Sequence, residues 1–159
     1  ANYPISYRVS YTNYAATTFV KTATPFTISV QDPCDSPVSV TPSVLTNQEY
    51  TITQNAINYQ VPVYTADPLW CEILYRYEIT EISGDQAIQS FDNDPASRTF
   101  TFFNDNDLTL STLTQKAYTV TVFGKSGNIT PTESGTTFTL TLKNPCIDPA
   151  FVTINAGTV

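Results

Sequence analysis

The chain has 159 residues, fourteen acidic against seven basic, so it carries a formal net charge of −7, and it contains no histidine. Nucleic acid and anionic membranes are recognised by clustered Lys and Arg; here the basic residues stand singly, so neither is an expected partner. No apolar run approaches the ~20 residues of a membrane span, and the commonest general base and metal ligand is missing altogether.

Twenty-seven threonines, ten tyrosines and nine phenylalanines favour strands. In chain order, Tyr7, Val9 and Tyr11 alternate with Arg8, Ser10 and Thr12. Phe26, Ile28 and Val30 alternate with Thr27, Ser29 and Gln31. Residues 50–53 and 59–64 are short candidates. Cys71, Ile73, Tyr75, Tyr77 and Ile79 form one face of a longer strand; Glu72, Arg76, Glu78 and Thr80 form the other, where Leu74 is out of character. Residues 100–103 and 108–110 follow, then Tyr118, Val120 and Val122, and finally Phe138, Leu140 and Leu142. A period of two marks half-buried strands. Turn residues separate them at 83–85, 92–95, 104–107 and 124–135, and only 84–90 leaves room for a single helical turn. The expected class is all-β, an antiparallel immunoglobulin-like sandwich.

The chain also repeats itself. YRVSYTNYAATTFVKTATPFTISVQDPC (7–34) aligns with YTVTVFGKSGNITPTESGTTFTLTLKNPC (118–146) through one gap. The match continues past the cysteine: CDSPVSVT (34–41) corresponds to CIDPAFVT (146–153), placing Pro37 on Pro149 and Val40 on Val152. The expected organisation is the closing strands of one unit at 1–31, a complete unit at 32–143, and the first strand of another at 144–159. A unit of about 112 residues suits a seven-stranded sandwich. The absence of Met agrees with a segment of something longer. Asp32-Pro33 and Asn144-Pro145 would stiffen the junctions, because proline fixes its own φ and restricts its neighbour.

The closing strand F-T-(I/L)-(S/T)-(V/L) before (D/N)-P-C, with a Tyr-(T/R)-Val-(T/S) strand upstream, resembles tandem immunoglobulin-like or cadherin-like repeats. Such repeats occur in very large secreted and cell-surface proteins of microbial eukaryotes. The resemblance covers the whole chain in register. It implies extracellular tandem β-sandwiches of structural or adhesive role, and it carries over no catalytic residue.

Cys34 and Cys71 fall in one unit, and Cys71 has core-facing phase, so the expected pairing is a Cys34–Cys71 disulfide; free buried thiols and a metal site are the alternatives. Three cysteines without histidine do not resemble a zinc site, and a disulfide implies an oxidising compartment. Cys146 takes the place of Cys34 in the following unit, with its partner expected beyond this chain. Asn128-Ile129-Thr130 is an N-glycosylation sequon, and Thr-Pro steps at 24–25, 41–42 and 130–131 permit O-glycans. The Asn/Asp runs at 92–94 and 104–107 invite calcium, but such side chains also close turns, and no metal or cofactor is expected. Trp70 and Tyr64 could form a carbohydrate platform; alternatively Trp70 packs beside the disulfide. Glu78 and Glu81 sit on opposite faces of one strand, so they cannot flank a glycosidic bond. No nucleophile motif or phosphate loop is present, and an enzyme is not expected. The expected function is a structural component of an extracellular filament, stalk or surface coat, partnered by copies of itself or adjacent repeats and by glycans. The alternatives are an adhesin or carbohydrate-binding module, or a pilin-like subunit completed by a neighbour's strand.

Overall fold

The structure is a computed structural model that describes residues 1–12, 18–80, 88–104 and 113–149. Among these, regular structure is strand apart from one 3-10 turn at Pro33–Asp35. The strands are β1 (Asn2–Ile5), β2 (Arg8–Thr12), β3 (Thr18–Thr22), β4 (Phe26–Ser29), β5 (Ser39–Thr41), β6 (Gln48–Thr51), β7 (Ile57–Gln60), β8 (Thr65–Asp67), β9 (Leu74–Ile79), β10 (Ile88–Asp92), β11 (Thr99–Phe102), β12 (Gln115–Ser126) and β13 (Thr132–Lys143). The all-β sandwich expected from the alternating pattern is what the chain forms.

Residues 38–143 build two layers. One sheet has the order β6-β13-β12-β9. The other has the order β10-β11-β7, and the pair β5-β8 extends it, since β7 and β8 are successive parts of one chain path. Taking β5/β6 as strand A and β7/β8 as strand B, the layers are A-B-E-D and G-F-C with A crossing over, the immunoglobulin-like arrangement. One pairing departs from antiparallel: β6 runs parallel to β13, with Leu140 opposite Gln48. The chain leaves the β5-β8 layer after Thr41 and joins the sheet of β13 at Gln48, so one strand edges both layers.

The core follows the period of two. Tyr118, Val120, Val122, Phe138, Leu140 and Leu142 are buried, as are Cys71, Ile73 and Tyr75. Leu74 is exposed because phase, not residue type, decides which face a strand residue occupies. Phe100 lies between the layers with ring centroids of Phe91, Tyr77, Phe138 and Phe102 at 4.3, 5.2, 5.7 and 5.8 Å. The candidate at 59–64 divides instead: Val61 and Tyr64 are buried, but Pro62 has no N–H for a ladder, and the chain breaks between β7 and β8. The stretch 84–90, which left room for one helical turn at most, runs into a strand from Ile88; 81–87 and the candidate strand at 108–110 lie outside the described residues.

The polar loop expected at 124–135 shrinks to residues 127–131, because β12 and β13 pair over twelve residues each. Both glycines that suggested the loop are required inside strands. A Cβ on Gly124 would lie 2.7 Å from the Tyr64 ring, and one on Gly135 would lie 2.7 Å from the Phe123 ring.

Residues 1–31 form a separate two-stranded ribbon. β1 pairs with β4 and β2 with β3, with Tyr3 opposite Ile28 and Val9 opposite Lys21. The repeat places Val9 on Val120 and Phe26 on Phe138, which are partners in β12/β13; in the ribbon the partner of Phe26 is Ile5. Register is weakly specified where neither face is buried, and every described strand residue of the ribbon whose burial is defined is exposed.

Replacing Phe100 by Ala should cost about 3–5 kcal/mol, because it deletes a fully buried ring. Leu74→Ala, on the exposed face, should stay within about 0.5 kcal/mol. Urea denaturation of the two variants checks this; similar midpoints for both would contradict the assigned core.

Candidate functional site

Cys34, Cys71 and Asn128 come together at one pole of the sandwich, where the chain passes from the ribbon into β5. Asp32 caps the 3-10 turn: its Oδ1 accepts the Cys34 N–H at 2.9 Å. The Cys34 and Cys71 sulfurs form a disulfide, with a Cα–Cα distance of 5.6 Å. It joins the turn that leads into β5 to the start of β9, and so links the two layers at this pole. Closing a loop of this length contributes at most about 4 kcal/mol in the chain-entropy model. The carbonyl of Cys34 accepts the Asn128 N–H at 2.9 Å. Cys34 is thus held through its N–H, its carbonyl and its sulfur.

Asn128 sits at the tip of the β12–β13 hairpin and is exposed. Its Nδ2 donates to Asp35 Oδ1 at 3.1 Å and to Asp32 Oδ2 at 3.4 Å. The amide therefore bridges two carboxylates of the chain segment opposite. In the sequence Asn128 stands out only as the first residue of a sequon.

The far end of the unit repeats the turn. Asn144 Oδ1 accepts the Cys146 N–H at 2.9 Å, the bond that Asp32 makes to Cys34. Asn144 is buried, and its N–H donates to the Thr114 carbonyl at 2.8 Å. Cys146 is exposed and forms no disulfide among the described residues.

The two aromatic candidates part company. Tyr64 is a core residue, 1% exposed, so it offers no platform. Its hydroxyl donates to the Val122 carbonyl at 3.0 Å and its N–H to the Tyr75 hydroxyl at 2.9 Å. Trp70 is 75% exposed and stands in solvent instead of packing beside the disulfide. The loop from Pro68 into Cys71 is closed by the Cys71 N–H on the Pro68 carbonyl, and its tight turn leaves Leu69 and Trp70 on the outside. A cleft of about 300 Å³ opens beneath this loop between Val63, Ala66, Leu69, Ile73, Tyr75 and Pro95. It is largely apolar, Thr65 and Glu72 also line it, and the Tyr64 and Tyr75 hydroxyls are committed to backbone.

The acidic turn at 92–95 closes on itself. Asp92 Oδ1 accepts the Asp94 N–H at 3.1 Å and Asp94 Oδ1 accepts the Ala96 N–H at 2.7 Å. The Ser97 hydroxyl and then the Asp94 N–H hold the Asp92 carboxyl below its ordinary range. The same loop carries Arg98, buried and with a left-handed φ of 44°. Its guanidinium donates to the Val61 carbonyl at 3.0 Å and to the Pro95 carbonyl. Nothing in the sequence marks this arginine as internal. Of the acidic turn at 104–107, residues 105–107 lie outside the described residues.

On the outer face of β9-β12-β13, Arg76 pairs with Glu133 at 2.7 Å and with Glu78, and stacks 4.0 Å from the Phe123 ring. Hydrogen bonding to Arg76 holds the Glu133 carboxyl low. Glu78 is thereby engaged; Glu81 lies outside the described residues.

No family model and no curated protein matches the sequence. Among solved structures, the chain is similar to the protocadherin gammaB7 EC3-6 cis-dimer structure, with 8% identity and a TM-score of 0.45 over 89% of this chain. It spans 33% of the length of that chain.

Burial, and then the nearby Tyr75, push the Tyr64 hydroxyl well above its ordinary 10.0. A group whose folded value is raised stabilises fully below its unfolded value and loses that contribution as pH rises beyond it. The urea midpoint should therefore fall above about pH 10, and Tyr64→Phe should remove part of that fall. An identical alkaline profile for the variant would contradict the role of burial.

Proposed function

We propose that the chain is a structural segment of an extracellular filament, stalk or surface coat built from tandem immunoglobulin-like units. In this reading residues 32–143 are one unit, 1–31 close the unit before it, and 144–159 begin the unit after it. The observation that carries the reading is the recurrence of one turn at both ends of the sandwich, Asp32-Pro33-Cys34 and Asn144-Pro145-Cys146, with the same side-chain bond at 2.9 Å. The placement of the core supports it, since all its buried apolar residues lie between Val38 and Leu142. A two-stranded ribbon is marginal by itself in water, and Phe26, Ile28 and Val30 are exposed on this one. Arrays of this kind behave as one-dimensional assemblies in which each unit touches its neighbours. The disulfide fits an oxidising compartment. The function is mechanical, with no catalysis.

The mass of the natively sourced polypeptide, denatured and reduced, tests this. It should lie well above 17.5 kDa. A species near that value would reject the covalent array and favour subunits that complete one another by strand exchange.

Asn128 is the proposed glycan site. A glycan on Nδ2 leaves one amide hydrogen, so only one of the contacts to Asp32 and Asp35 would persist. Tryptic peptides of the native protein should carry added mass at Asn128; an unmodified residue throughout would refute it.

A second reading, a carbohydrate-binding surface module, draws on the exposure of Trp70. It predicts glycan binding that Trp70→Ala abolishes.

A further inference from the structure

Leu69, Trp70 and Ile129 are large apolar side chains that are 78%, 75% and 69% exposed. They belong to two loops, and those are the loops that grip Cys34. Ile129 follows Asn128, whose N–H is bonded to the Cys34 carbonyl. Leu69 and Trp70 precede Cys71, which is bonded to the Cys34 sulfur. With Cys34 and Cys71 Cα atoms 5.6 Å apart, the Trp70 Cα is no more than about 9.4 Å from that of Cys34. The three side chains are therefore carried by two loops that are both bonded to Cys34, the residue at which the chain arrives from residues 1–31.

We infer that Leu69, Trp70 and Ile129 form the surface on which the preceding repeat unit seats. This rests on the tandem reading above. The covalent path selects the occupant. β4 ends at Ser29, and only Val30, Gln31, Asp32 and Pro33 separate it from Cys34. A body tethered by so short a link is held at high effective concentration against its neighbour. The link is also directed, since Cys34 is fixed through its N–H, carbonyl and sulfur. Asp32, Glu72 and Lys125 line a cleft beside the disulfide together with Cys34, Cys71 and Asn128, so charged groups stand next to these loops as at the rim of an interface. The opposite pole supplies the matching chemistry. Leu113 is exposed there and precedes Thr114, whose carbonyl accepts the N–H of Asn144 at the outgoing junction. By repetition, each unit presents an apolar side chain beside its exit to the apolar patch at the next unit's start.

Trp70 is the chain's one tryptophan, which makes the contact readable. The experiment joins residues 1–143 directly to a second copy of 32–159, with Trp70→Phe in the first copy, and compares iodide quenching with that of the 159-residue chain. The remaining tryptophan should be quenched several-fold less and emit further to the blue, and Leu113→Asp in the first copy should restore quenching. Suppose two sandwiches form, each with its disulfide, yet quenching is that of the single chain; the inference then fails and the repeat reading stands. If two sandwiches do not form, the repeat reading fails and takes the inference with it. Protection of Trp70 in the 159-residue chain by added oligosaccharide would overturn the inference and assign the patch to carbohydrate.

Discussion

Phe100 lies where the two layers meet, fully buried against aromatic rings from both sheets. Tyr77 and Phe138 reach it from one layer, Phe91 and Phe102 from its own. The contacts are mixed edge-on and stacked arrangements, which aromatic quadrupoles favour and which add to the area each ring removes from water. Ladder hydrogen bonds run within each sheet, so side-chain packing is the main tie between the layers, joined by the Cys34–Cys71 disulfide and the bonds of Tyr64 to Val122 and Tyr75. Gly124 belongs to the same constraint. It lets the long β12 pass over Tyr64, whose hydroxyl in turn anchors the Val122 carbonyl.

At the pole the constraint is different in kind. Cys34 packs at the edge of the core, and directed bonds hold it there, to Asp32, to Asn128 and to Cys71. Directed bonds fix orientation, which a core alone does not. This pole joins the incoming segment to both layers through one cysteine. The ribbon of residues 1–31 shows the converse. It has Tyr, Phe and Val in the alternating pattern of β12 and β13, yet its strands pair in another register. Without a second layer, nothing distinguishes one register from its neighbours.

The all-β class, the buried faces of β9, β12 and β13, and the recurrence of the Asx-Pro-Cys turn were legible in the residues themselves. Each depends on period-two alternation or on a local i to i+2 bond, and both are short-range properties of a chain. The pairing of Cys34 with Cys71 was legible through phase and position. Other features depended on which distant residues come together. Trp70 and Tyr64 look alike as aromatic residues near a cysteine, yet one stands in solvent and the other is core. The difference is whether the fold supplies a wall, and for Tyr64 that wall is Gly124, sixty residues further on. Arg98 is buried because Val61 and Pro95 offer carbonyls that no local pattern announces. Gly124 and Gly135 read as loop residues because glycine usually marks turns, whereas here the close approach of aromatic rings requires them. Asn128 reads as a sequon by its neighbours, but its amide is engaged by carboxylates more than ninety positions away in sequence. The sequence by itself determined the all-β class and the buried faces of β9, β12 and β13, since backbone geometry alone sets that period. Only the tertiary structure decided which polar groups meet at the junction and which aromatic remains outside, because those outcomes depend on loops brought together by the packing of the two sheets.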